Sequence, residues 1–136
     1  AKQLPGSAPV LFYLANALQS RGLTADAIQS YRTAHQLKPG SPATNNLAWI
    51  LATSRDDKLR NGSEAVALAE PVCRGAGSKD PLLLNTLAAA YAETGQFEKA
   101  IATAEAALKL AAGKAEVTAL LTKSLQLFER KVPVRE

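Results

Sequence analysis

The sequence predicts an all-α fold, a stack of three antiparallel helical hairpins closed by a final capping helix. Three observations carry that prediction. Ala and Leu dominate while aromatics make up only 5% of the residues. Gly and Pro stand between runs of strong helix formers rather than inside them. One short apolar motif recurs three times along the chain. At 136 residues the chain suits one domain with a continuous core, and a stack this short leans on its end caps.

The motif first appears as Leu11, Leu14, Ala15 and Leu18, then as Thr44, Leu47, Ala48 and Leu51, then as Leu84, Leu87, Ala88 and Tyr91. Each copy opens a hairpin. Its partner helix follows on small residues: Ala27 with Tyr31 and Ala34, Ala65 with Ala69, and Ala100 with Ala104 and Ala107. Small side chains let two backbones approach, and Leu or Tyr three and four residues away fills the groove between pairs. Gly22 and Gly95 fall where a first helix must stop, and Pro39 where the first unit's second helix must end. Ser41 before Pro42 and Asp80 before Pro81 read as an N-cap followed by proline in the first turn.

The middle unit departs from the others. Ala48 to Ala65 spans 17 residues, where Ala15 to Ala27 and Ala88 to Ala100 each span 12. Five extra residues predict a protruding charged loop over 54–62, with Leu59 as its inward anchor. Pro71 predicts a kink or an end to the second helix near Glu70, with irregular structure from there to Ser78. After Gly113 a last helix runs to about Arg130, with Val117, Leu120, Leu121, Leu125 and Phe128 as its apolar stripe. Lacking a partner helix in the sequence, it is expected to cover the third hairpin.

These residues resemble the tetratricopeptide repeat: a small residue after Leu, a later Ala, an aromatic and a closing Pro, matched best over 8–41. The resemblance covers nearly the whole chain. It implies a right-handed superhelical solenoid in a single domain, 1–136, with repeats at 8–41, 42–80 and 81–112 and a capping helix at 114–130. The run from Asn45 through Leu47, Ala48 and Trp49 to Thr53, with Arg60, Asn61 and Glu64 to Val66 later, is similar to a bacterial variety of this repeat. That variety often forms the C-terminal end of larger proteins, some of them membrane-embedded. The closing residues 127–136 resemble the way it finishes, so a natural C-terminus is expected there, and the lack of Met suggests a processed product or a fragment.

Catalysis finds no support in the residues. The chain offers one His, one Cys and no clustered carboxylates beyond Asp56 and Asp57. His35 is expected to lie exposed on the outer side of the first hairpin, and Cys73 to be an inert, at least partly buried thiol. The Asp pair lacks the alternating ligands and glycine of a calcium loop, and no phosphate-cradling glycine loop is present. No metal, cofactor or enzymatic activity is therefore expected. A net charge of +4 spread singly along the chain does not make a nucleic-acid stripe, so RNA binding ranks last. No apolar run approaches the roughly 20 residues that cross a bilayer. A lone cysteine leaves the compartment open.

What remains is surface. In stacked hairpins the first helices line a concave groove, whose expected facing residues are Phe12, Asn16, Asn45, Trp49 and Asn85, flanked by Tyr13 and Asn46. Amides in a ladder can pair with the backbone of a bound peptide, and aromatics beside them can bury its side chains. The same amides can instead bond between neighbouring helices, and Trp49 can fill the core between repeats. Tetratricopeptide domains that hold chaperone carboxylates use paired Lys or Arg beside Asn, which these helices lack, so a neutral or mildly basic peptide is expected. The loop 55–61 is a second expected contact. Self-association through the N-terminal hairpin, or a spacer role in a larger protein, is the alternative.

Overall fold

The computed structural model describes residues 7–75 and 79–136. Among the described residues the chain is all-helical, with α1 at Ala8–Ser20, α2 at Thr24–Leu37, α3 at Pro42–Thr53, α4 at Gly62–Arg74, α5 at Pro81–Glu93, α6 at Phe97–Leu110 and α7 at Ala115–Glu129. It divides into two compact units, Ala1–Leu47 and Ala48–Glu136, with the boundary inside α3.

In the first unit α1 packs against α2. The Ser7 side chain accepts from the Val10 amide and caps α1 at its start. At its end Gly22 takes φ 78°, the Gly22 amide bonds Gln19 O at 3.0 Å and the Leu23 amide bonds Leu18 O at 2.9 Å. This pair of bonds satisfies carbonyls the helix leaves open, and the left-handed residue it needs is cheapest as glycine. Leu23 thereby becomes the N-cap position of α2. Ala27, Ile28, Tyr31 and Ala34 then form one buried stripe facing Ala15. Leu14, expected inside, is instead 47% exposed.

Two further expectations for this unit are corrected. Ser41 does not cap α3 with its side chain, because its Oγ is buried without a hydrogen-bond partner. The polar role passes to Thr44, whose Oγ1 accepts from the Gly40 amide at 3.0 Å and pairs with His35 Nδ1 at 2.7 Å. His35 is accordingly half-buried and tied to the start of α3, not free on an outer face.

The second unit repeats the helix-ending device of α1. The Gly95 amide bonds Ala92 O and the Gln96 amide bonds Tyr91 O, with Gly95 at φ 80°. The middle hairpin reaches the equivalent bond across its insertion: the Asn61 amide bonds Leu51 O at 2.8 Å. Leu23, Asn61 and Gln96 are each the N-cap position of a second helix, and their carbonyls accept from Ala27, Ala65 and Ala100. The five extra residues are looped out, and the hairpin resumes its register at Asn61. Residues 55–58 are exposed. Arg60, more than the partly buried Leu59, anchors the loop.

Pro71 does not end the second helix of this hairpin. α4 continues to Arg74 with Pro71 on its exposed side, because Ala65, Ala69 and Cys73 hold the opposite face in the core. One missing amide on a solvated face is a smaller loss than unpacking that stripe. The chain turns at Gly75, and residues 76–78 of the expected irregular stretch lie outside the described residues.

Asp80 caps α5, its side chain accepting from the Leu82 amide at 2.9 Å. α5 packs against α4 and α6, and α7 covers α6 and part of α5. Leu121 and Phe128 of α7 are fully buried, whereas Leu120 is 42% exposed and leaves the expected stripe. α7 ends on the same bonds as α1 and α5, with Lys131 to Phe128 O and Val132 to Leu127 O, both 2.9 Å, but its left-handed residue is Lys131 at φ 57°. That conformation costs a non-glycine residue roughly 1–2 kcal/mol. Lys131→Gly is therefore expected to stabilise the chain by about 1 kcal/mol, read as a higher urea midpoint at unchanged slope.

Candidate functional site

The groove residues expected in the first unit do not stand free as a ladder. Tyr31, 2% exposed, donates its hydroxyl to Asn16 Oδ1, and Asn46 Nδ2 donates to both Asn16 Oδ1 and the Tyr31 oxygen at 3.3 Å. Asn16 and Asn46 thus join α1, α2 and the start of α3 through one buried phenol. The Phe12 ring meets Tyr13 edge-on, with centroids 5.5 Å apart, and lies tilted to Tyr31 at 6.1 Å. Tyr13 is 69% exposed, and Asn45 is partly buried.

In the second unit Trp49 is partly buried and its indole Nε1 donates to Glu136 Oε1 at 2.8 Å. Asn85 is 3% exposed, and its Oδ1 has no hydrogen-bond partner among the described residues. An unpaired buried acceptor costs about 1–3 kcal/mol, so any donor that reaches it gains that much.

Sequence reasoning missed the group that organises this unit's polar contacts. Glu93, at the end of α5, pairs with Arg60 of the loop at 3.2 Å and with Arg135 at 2.8 Å, its side chain only 16% exposed. Arg60 also bonds Ser54 O at 2.7 Å and pairs with Asp57, and these carboxylates hold its guanidinium more basic than usual, Asp57 foremost. Gly62 completes the close fit, because a Cβ there would stand 2.8 Å from Glu93 Cγ. The available signal was an Arg in an otherwise exposed loop and an acid where a first helix ends.

Between α4, α5 and α6 lies an open cleft of about 560 Å³, floored by Leu84, Leu87 and Tyr91 and walled by Cys73, Ala102 and Ala106. Its chemistry is quiet. Burial, with a smaller contribution from Asp80, pushes the Cys73 thiol up to about 11, and the thiol donates to Leu83 O at 3.4 Å. Burial and a 2.6 Å bond to Glu70 push the Tyr91 phenol up to about 12. Neither group ionises near neutrality, so no nucleophile is available there. Among the described residues no three His, Cys, Asp or Glu side chains gather as metal ligands.

The raised thiol has a consequence for stability. The folded chain holds the Cys73 proton more tightly than an unfolded chain, whose thiol titrates near 9.0. Its contribution is complete below about pH 9 and falls as pH rises toward about 11. Cys73→Ala is expected to lose about 2 kcal/mol less stability than the unsubstituted chain between about pH 8 and about pH 10.5. Urea unfolding at the two pH values measures it.

Paired helices, small residues at their closest approach, and the same backbone bond opening each second helix define a helical-repeat protein. The family model for the tetratricopeptide repeat matches residues 1–122, and the chain belongs to that family. Proteins of this family are generally non-enzymatic scaffolds that bind proteins or peptides. No curated protein matches the chain. No described helix is long and apolar enough to cross a membrane.

Proposed function

We propose that this chain is a protein-interaction scaffold that takes a peptide segment on the exposed faces of its first helices, without catalysis. One observation carries the reading: in the second unit the C-terminal ends of two first helices, α3 and α5, hold a non-helical stretch of polypeptide, residues 132–136, by a backbone bond to Thr53 O, the Trp49 indole and an ion pair to Glu93. Main-chain pairing supplies affinity and side-chain contacts supply selectivity in recognition of this kind. Asn85, 3% exposed on α5, adds an acceptor without a partner among the described residues.

The test is an unbiased peptide library, run beside the double variant Asn45→Ala, Asn85→Ala after circular dichroism shows equal helicity. Peptides retained by the chain and lost by the variant support the first-helix faces as the site. A library without hits overturns the reading.

A second reading is self-association through α1, favoured by Val10, Tyr13 and Leu14, which are 50%, 69% and 47% exposed on one helix. It requires a mass that rises with concentration and reverts in Tyr13→Asp, Leu14→Asp.

A further inference from the structure

We infer that residues 132–136 act as a tethered ligand of the second unit, and that the partner displacing them is an extended protein segment presenting an apolar, a basic and an acidic side chain in succession. The inference rests on the peptide-binding reading above and specifies its ligand.

Each contact of this segment has a distinct chemistry. Val134 packs on the cluster formed by Ala88, Ala92, Ala100, Ala104 and Phe128. Arg135 pairs with Glu93 at 2.8 Å. Glu136 accepts from Trp49 Nε1 at 2.8 Å, and its own amide donates to Thr53 O at 2.8 Å. Thr53 O is open because the last carbonyls of a helix have no partner within it. Ser54 and Asn61 satisfy the carbonyls of Ile50 and Leu51, and residue 136 comes to that of Thr53.

The segment is also built to arrive and to leave. Lys131 turns the chain at φ 57°, and Pro133 cannot prolong α7. Residues 132–135 are only partly buried, and the segment is held by the packing of Val134, one ion pair from Arg135, and one backbone and one indole bond at Glu136. Contacts this few open without global unfolding. Tethering nevertheless keeps the segment at high effective concentration, so a free competitor binds weakly until the tether is released.

Trp49 is the single tryptophan and touches the segment directly, so its emission reports occupancy in the full chain. The double variant Arg135→Ala, Glu136→Ala is expected to move Trp49 emission to longer wavelength at unchanged helicity. A synthetic peptide of residues 131–136 should reverse that shift saturably, and the same peptide carrying Glu136→Gln should bind about tenfold more weakly. The unsubstituted chain should require far more peptide than the variant. Emission that does not move in the variant overturns the inference. A shift that peptide does not reverse also overturns it, leaving the segment a fixed brace. A library without hits beside an intact Trp49 response faults the wider scaffold reading instead, and library hits lacking the apolar, basic, acidic order fault this inference alone.

Discussion

Phe128→Ala is expected to remove about 3–5 kcal/mol of stability, enough to leave the second unit marginal. Phe128 is fully buried among Ala88, Ala92, Ala100 and Ala104, which are themselves at most 2% exposed. Alanines fixed on helix backbones have no side chain to swing inward, so the cavity left by the ring closes poorly and the cost falls in the upper part of the range. Urea unfolding followed by Trp49 emission measures it. Leu120→Ala on the same helix is the control, expected within about 0.5 kcal/mol because Leu120 is 42% exposed. A Phe128→Ala loss below about 1 kcal/mol would mean that α7 does not seal this core.

The placement of Phe128 follows from the repeat. Leu127 occupies in α7 the position that Leu18 and Tyr91 hold in α1 and α5, the carbonyl that closes each helix end. By that register Ser124 stands where Ala15 and Ala88 stand, and Phe128 stands where Ala92 stands. α7 is thus built like a first helix, with a large ring in place of the small residue that a second helix would require. The motif, the glycines at 22 and 95 and the count of five extra residues were all legible, because each reflects a local rule about helix period or a left-handed turn. Pro71 does not end α4, because a local rule was outweighed by the buried stripe of Ala65, Ala69 and Cys73. Lys131 was not legible as a turn, because it performs a glycine's task without being one.

The candidate site was less legible than the fold, for a reason its own residues show. Position on a helix face tells which residues are neighbours, but not which polar atoms remain open once the neighbours are paired. Trp49 was expected in the groove or in the core between repeats, and its bond to Glu136, 87 residues away, was not legible because no periodicity links the two. Glu93 escaped notice for the same reason, its two Arg partners coming from a loop and from the stretch beyond α7. Asn85 Oδ1 has no partner among the described residues, whereas Asn16 Oδ1 accepts twice and Asn46 Nδ2 donates twice. Three amides that look equivalent in sequence differ in what reaches them.

Tyr31 decides how Asn16 and Asn46 behave, and two substitutions separate its contributions. Tyr31→Ala is expected to cost about 3–5 kcal/mol, since the ring is 2% exposed and the fully buried Ala15, Ala27 and Ala34 of the same unit have no longer side chain to fill its place. Tyr31→Phe keeps the ring and deletes the hydroxyl, which donates to Asn16 and accepts from Asn46. Asn46 Nδ2 still reaches Asn16 Oδ1 at 3.3 Å, so the expected loss is only about 1–2 kcal/mol. Thermal or urea unfolding of the two variants gives both numbers. A Tyr31→Phe loss near the upper value means that the amides are structural, bound to hold α1 and α2 to the start of α3. A loss below about 0.3 kcal/mol would mean that the hydroxyl holds neither amide, and Asn16 would again be free to meet a ligand.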